Sequence, residues 1–493
     1  MENIGKEERA MKKRAWHKQH KWLGLICGFF LIAFCLSGII LNHRQLFGDI
    51  NVSRSILPSH YHYRNWNGGL LRGTVHSDYG TLIYGANGVW CVDSMTGNIR
   101  DFNSGFPDGA DYRNVRRVVK TDNGTMVAAT QFGAYKYCHD AGWKRLDITV
   151  DEDERLTDIE SVGDTIVVLG RSNLYVSISP DSAFKKTELL PSPENDGKVS
   201  LFRTVWTIHS GEIFGLPGRL FMDMVALILL FLVVTGIICW IVPLYLKKRK
   251  PKFNPVRFMK FNFIWHNKIG RWTIVLTVFI ALTGWCLRPP VMIPLAMTKT
   301  AAIPGSSLSS GNVWHDKLRA IRYDDRFNDW IISTSEGFFS TKSFDDTPHK
   351  LIGTPPVSVM GINVWEQGAE GKWLCGSFSG MYEWDRQSAS SSDYFTHEVA
   401  DDKPGPPFGR KAISGYSADL SDRPFVVEYY KGTDALAQPQ EMERLPMSLW
   451  NVALEIHSGR LFIGQIATYI FIFILGITII WCLISGYKLK KRP

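Results

Sequence analysis

Four long apolar runs constrain this chain more than any other feature, at residues 22–41, 220–244, 272–287 and 461–484. A bilayer core of about 30 Å is crossed by about 20 apolar helical residues, and the runs are near that length. The third is the shortest, and its far end meets Arg288-Pro289-Pro290. The overall hydrophobic fraction of 45% hides this, because the apolar residues are concentrated in blocks. The sequence therefore predicts four spans. Met11-Lys12-Lys13-Arg14 would suit a signal peptide, but Leu41-Asn42-His43-Arg44 offers no small-residue cleavage site, so an uncleaved anchor is expected.

Orientation follows from the lysines and arginines beside the runs. They cluster before the first run (11–21), fill the loop between the second and third (246–260), and close the chain (488–492). With four spans all three clusters fall on one face, read as the cytoplasm. The expected location is a bacterial inner membrane, with both termini cytoplasmic. The expected order is then an N-terminus at 1–21, a first span at 22–42 and an outer segment at 43–200. A second span with its outer lead-in follows at 201–245, then a basic loop at 246–264 and a third span at 265–290. A second outer segment at 291–446, a fourth span with lead-in at 447–487 and a tail at 488–493 complete it. Topology accounts for much of the +9 formal charge. Membrane lipid is an expected partner and nucleic acid is not, because a nucleic-acid footprint is a basic surface patch rather than a set of span flanks.

The outer segments read as β-structure. Residues 81–93, 126–137, 165–176, 330–340 and 372–384 each show a strand, a small-polar turn with glycine, and a second strand, and 413–430 is a weaker copy. Their spacing resembles that of propeller blades. One outer all-β domain, propeller-like and built from both segments, is expected; two unrelated β-sandwiches are the alternative. Of the eight cysteines, Cys91, Cys138 and Cys375 fall in these strands, scattered, and read as buried apolar residues rather than as a disulfide framework or a zinc site.

A histidine precedes or opens each apolar run. Ile208-His209-Ser210-Gly211 and Ile456-His457-Ser458-Gly459 lead the second and fourth; His20 and His266, each four residues ahead of a glycine, open the first and third. The membrane half is thus a tandem repeat of span, outer loop and span, with a pseudo-two-fold axis along the membrane normal. On a helix His20 lies about 27 Å from Gly38, so His20 and His266 belong to the cytoplasmic boundary, and His209 and His457 to the outer one. Symmetry pairs them, one pair per face. Two imidazoles facing each other across a helical bundle suit a six-coordinate haem iron, against interfacial histidines with no ligand role. Trp16, Trp22, Trp206, Trp265 and Trp272 are candidates to pack on the cofactor or to form an interfacial belt. His17 and His43 lack repeat partners and are spare candidates. Arg203, Arg219, Arg288 and Arg460 near the outer boundary would attract an anion or simply bound the spans.

The motifs resemble a known family. His20, Trp22 and Gly24 at the first span, Ser37-Gly38, Thr235-Gly236 and Thr283-Gly284 near span ends, and His209-Ser210-Gly211 with Gly215-Leu216-Pro217-Gly218-Arg219 are similar to the PepSY-associated transmembrane family. That family includes inner-membrane ferric-siderophore reductases. The resemblance covers the spans and their entries, a little under half the chain, and implies a four-helix bundle carrying haem b, expected twice. It implies axial ligation by His20, His266, His209 and His457. It further implies reduction of a ferric siderophore or similar chelate, with electrons from a cytoplasmic or quinol donor. The outer segments depart from the family pattern, since no PepSY α/β module is legible there. A membrane-anchored ligand-binding or sensor protein with structural histidines is the alternative. A transporter is disfavoured, because no span carries an acidic pair or a Gly/Pro break at mid-depth.

Overall fold

The structure is a computed structural model that describes residues 2–93, 96–151, 154–246, 255–400, 409, 411–463 and 465–489. The basic run at 247–250 and the tail from 490 lie outside them. The chain forms two compact units. Met1–Phe47, Gly197–Ser310 and Trp450–Pro493 make up one, and Gly48–Asp196 with Gly311–Leu449 the other.

The first unit is helical. Its helices are α1 (Glu2–Asn42), α2 (Leu201–Ser210), α3 (Gly215–Leu246), α4 (Pro255–Trp272), α5 (Ile274–Cys286), α6 (Met292–Met297), α7 (Leu449–His457) and α8 (Gln465–Lys488). Three stretches are long and apolar enough to cross a membrane: Arg14–Asn42, Glu212–Leu246 and Ala467–Lys488. The expected third span departs from a straight rod. Helices α4 and α5 bend by 66° at Thr273, so there are four spans only if this bent pair counts as one. The physical reason is legible in composition: α4 carries Arg257, Lys260, Lys268 and Arg271, whereas α5 has no charged residue. Helix α1 packs on α3 and α8, α3 on α4, α5 on α8, and α2 on α5.

Polarity in this unit runs opposite to that of a soluble core. Large side chains such as Ile26, Phe29, Leu227, Ile470 and Ile474 are exposed, while Ser37, Thr235, Thr277, Thr283, Thr468 and Ser485 are buried. In lipid, apolar side chains lose nothing by facing outward, and small hydroxyl residues let helices approach closely. The unit is that of a membrane protein.

The second unit is all-β. Five four-stranded antiparallel sheets have as their first strands Gly73–Ser77, Val115–Lys120, Leu156–Val162, Leu318–Asp324 and Ile362–Gln367; a sixth, two-stranded, pairs Ile413–Ser417 with Phe425–Glu428. All six sequence units are observed as antiparallel strand pairs. A β-bulge recurs near the start of the first strand in five sheets, between Val115 and Arg117, Leu156 and Asp158, Leu318 and Ala320, Ile362 and Val364, and Ile413 and Gly415. This repeated kink is a device that re-aims a strand, and it marks the sheets as copies of one design.

Each sheet shares an apolar core with the next. Leu82 packs with Ala128, Val127 with Ile166, Val167 with Ile332, Phe338 with Cys375, and Met381 with Ile413; the sixth sheet meets the first through Val427 and Ile83. Both chain segments therefore build one β unit, which tells against two unrelated sandwiches. The sixth sheet has half the strands of the others, so the described residues do not form a closed propeller of equal blades. The first strands also bring charges together: Asp158 meets Arg322 at 2.6 Å, and Glu160 meets Arg117 at 2.8 Å. Cys91 and Cys375 are buried and Cys138 partly so, and all eight cysteines are free thiols.

Candidate functional site

The repeated Ile-His-Ser-Gly is a helix end. In α2 and α7 the histidine occupies the last turn, and the glycine that follows adopts φ of 83° at Gly211 and 81° at Gly459. Only glycine enters this left-handed region without steric cost, which stops the helix and turns the chain. The Gly211 N–H donates to Ile208 O at 3.2 Å and the Gly459 N–H to Ile456 O at 2.9 Å. His209 and His457 are thereby fixed on short helices that precede α3 and α8.

The structure brings the four histidines into the two pairs that the repeat implied. The rings of His209 and His457 lie 6.1 Å apart between centroids, and those of His20 and His266 lie 6.2 Å apart. Each ring is held by a neighbouring helix. His457 Nδ1 is 3.1 Å from Ser37 Oγ and 3.0 Å from Phe34 O; His209 Nδ1 is 3.1 Å from Thr283 Oγ1; His266 Nδ1 is 2.9 Å from Thr235 Oγ1; His20 Nδ1 is 3.0 Å from Cys482 O.

Two of these bonds, to the Cys482 and Phe34 carbonyls, assign a tautomer. A hydroxyl has one proton. Ser37 donates its own to Ala33 O at 2.7 Å, Thr235 to Phe231 O at 2.7 Å and Thr283 to Phe279 O at 2.9 Å. Each hydroxyl oxygen is then open to accept from the imidazole. A carbonyl can only accept, so Nδ1 carries the hydrogen in His20, facing Cys482 O, and in His457, facing Phe34 O; the hydroxyl partners of His209 and His266 can take either role. A ligating imidazole is normally oriented in this way, its second nitrogen donating to a fixed acceptor.

A serine or threonine followed by glycine forms each seat. A Cβ added at Gly38 would come within 3.2 Å of His457 Cε1, at Gly236 within 3.5 Å of His266, at Gly284 within 2.8 Å of His209 and at Gly486 within 2.7 Å of His20. Three of these dipeptides stood out in the sequence. The fourth, Ser485-Gly486, was missed, although the same dipeptide at the end of the last apolar run was the available signal. Gly24 and Gly270 do not adjoin the histidines: the nearest atoms to an added Cβ are Cys482 Sγ at 3.7 Å and Leu232 Cδ2 at 3.5 Å. They serve helix packing.

The spacing fits a metal between the rings. A bond of about 2.0–2.1 Å to an imidazole nitrogen, plus about 1.1 Å from nitrogen to ring centre, puts a metal about 3.1 Å from each centroid. Half of 6.2 Å is 3.1 Å. Among the described residues no group of three or more His, Cys, Asp or Glu converges to hold a bare ion. Each pair brings two imidazoles together, tilted by 55° for His20 and His266 and by 48° for His209 and His457.

The remaining candidates are placed elsewhere. His17 is exposed. His43 is engaged with Asp223, Nε2 to Oδ2 at 2.6 Å, and Asn42 donates to the other carboxylate oxygen at 2.8 Å. Arg460 holds Glu455 through Nε at 2.8 Å, and Arg203 lies 3.2 Å from Glu212. Arg219 sits in the first turns of α3 with its Nε buried. Trp22 and Trp272 are 52% and 73% exposed, as an interfacial belt requires, and Trp16 packs on Trp481.

Fold and site together define a membrane protein whose helical unit presents two histidine pairs and whose other unit is built of antiparallel sheets. The model of the PepSY-associated TM region matches residues 17–489, and the chain belongs to that family. No curated protein matches it. Among solved structures it is similar to virginiamycin B lyase from Staphylococcus aureus, at 9% identity over 72% of this chain and 77% of that one, with a TM-score of 0.34. The extracellular domain of a hybrid two-component system from B. thetaiotaomicron matches at 9% identity over 64% of this chain, with a TM-score of 0.25. This chain spans only 32% of that domain's length. Neither score reaches the level at which a shared fold follows.

Proposed function

We propose that the protein is an inner-membrane electron carrier that reduces a ferric chelate outside the cytoplasm, with a haem b held by His20 and His266 and another by His209 and His457. In this reading the spans form a four-helix bundle of two tandem repeats, both termini are cytoplasmic, and the sheets form a propeller-like outer domain. The observation that carries it is the geometry of the pairs: four imidazoles brought together two by two, with ring centres 6.2 and 6.1 Å apart, the separation that two nitrogen bonds to one iron atom give.

Haem bound in each pair would supply a one-electron carrier. The chain's own part is to hold and tune. Ser37, Thr235, Thr283 and the Cys482 carbonyl hold Nδ1 and so fix each ring; where Nδ1–H donates, as to Cys482 O and Phe34 O, the bond raises the basicity of Nε2. The seat glycines let the rings lie against the neighbouring helix backbone. Helix α1 connects the two sites, since His20 and the seat of His457 at Gly38 stand about 27 Å apart along it. Electrons would enter at the first pair and leave at the second. Reduction releases iron because hard oxygen donors suit the ferric ion better than the softer ferrous ion.

A reduced-minus-oxidised absorption spectrum of the purified protein tests this. The expected result is a low-spin b-type signal corresponding to two haems per chain. A folded but colourless preparation overturns the proposal and leaves a membrane-anchored binding or sensor protein.

A further inference from the structure

The two halves of the repeat differ at one place beside the outer pair. Four residues beyond Gly38, one helical turn, stands Asn42, whose Nδ2 donates to Ser210 O at 3.2 Å and to Asp223 Oδ1 at 2.8 Å. The equivalent position beyond Gly284 is Arg288. It lies within electrostatic reach of both outer imidazoles and of Arg460, Glu455 and Tyr469. The residue is only partly exposed. Among the described residues no side chain hydrogen-bonds to its guanidinium or pairs with it. The nearby carboxylate, Glu455, is taken by Arg460 on two nitrogens. Asn42 is thus satisfied, whereas Arg288 is a recessed cation beside a second cation, and the one carboxylate in its electrostatic reach is hydrogen-bonded by that second cation.

We infer that Arg288 anchors an oxyanion site of carboxylate class next to the His209–His457 pair. A recessed charge without a partner is costly, and a guanidinium offers a planar fork that matches a carboxylate on two bonds. Two sources place such a group at this position. One is a side carboxylate of a tetrapyrrole seated between His209 and His457, which rests on the function proposed above. The other is a carboxylate of an anionic iron chelate approaching the same pair, which needs no resident cofactor.

The test compares the full-length protein with Arg288→Gln and Arg288→Lys. Two quantities are measured on each: haem retained per chain after dilution, and the dissociation constant of ferric citrate by titration calorimetry. Loss of a charge-assisted bond weakens binding about tenfold or more. If the carboxylate belongs to the tetrapyrrole, Arg288→Gln releases the outer haem at least tenfold faster, keeps the inner one, and leaves citrate affinity unchanged. If it belongs to the chelate, citrate affinity falls tenfold with haem content intact. In either case Arg288→Lys restores part of the loss. Unchanged haem retention and citrate affinity in Arg288→Gln overturn the inference, and so does a parent protein that holds neither haem nor citrate. The absence of haem alone counts against the proposed function and leaves the citrate comparison to decide this site.

Discussion

Gly284→Ala and Gly236→Ala set two known effects against each other with a predictable sign. Both glycines lie within helices, where alanine is favoured over glycine by about 1 kcal/mol. Without a close neighbour, either substitution should stabilise the protein. At Gly236 the new Cβ would stand 3.5 Å from His266 Cε1, an ordinary contact. At Gly284 it would stand 2.8 Å from His209 Cε1. Carbon atoms pack at about 3.5–4.0 Å, so that ring must retreat by about 0.7 Å or more. Retreat strains the Nδ1 bond to Thr283 Oγ1 at 3.1 Å, and overpacking of this kind costs about 1–3 kcal/mol. Metal sites tolerate ligand displacements of only about 0.2 Å. Gly284→Ala is therefore expected to lose or convert the outer low-spin signal and to lower the melting temperature. Gly236→Ala is expected to keep both signals and melt at the parent temperature or above. The assay is paired: an absorption spectrum and a thermal melt on each variant. Parent-like behaviour of Gly284→Ala, or equal damage from Gly236→Ala, would refute the seat argument.

Other expectations follow from particular contacts. Thr283→Val keeps the shape but removes the hydroxyl 3.1 Å from His209 Nδ1; an outer cofactor should be held about 10–100-fold more weakly, read as haem loss on dilution. Gly211→Ala places a Cβ 2.1 Å from Gly218 O at a φ of 83°, and expression of folded protein should collapse, measured by size-exclusion profile in detergent. Burial pushes the Asp324 carboxyl up, but the Trp373 Nε1–H and the Arg386 guanidinium outweigh it and hold the group below the usual carboxylate range. Because its folded-state value is depressed, the stability it contributes is present above the unfolded value of about 4. It is lost as pH falls through the lower folded value. Asp324→Asn should cost about 1–3 kcal/mol near neutrality, the range for a weakened hydrogen bond to a charged group, since Arg386 keeps Asp329 on two bonds, and should flatten the acid limb of the β unit's unfolding curve.

The sequence by itself determined the apolar runs and the repeat-related positions of four histidines. Symmetry between the two similar halves led to the expected pairing of His20 with His266 and of His209 with His457, which the ring separations then matched. Those follow from local composition and from symmetry between two similar halves, neither of which needs a long-range contact to be seen. Six strand pairs were legible for the same reason, since alternation and glycine turns are local. Only the tertiary structure decided what holds each ring. Ser37 lies 420 positions from His457 and Cys482 lies 462 from His20, so no periodicity links them. The bend between α4 and α5 also escaped a reading by run length, because charge on one side of Thr273 and its absence on the other were averaged into one expected span. That no described side chain hydrogen-bonds the Arg288 guanidinium was equally hidden. Arg288 and Arg460 look alike in the sequence, and packing alone gave Glu455 to one of them.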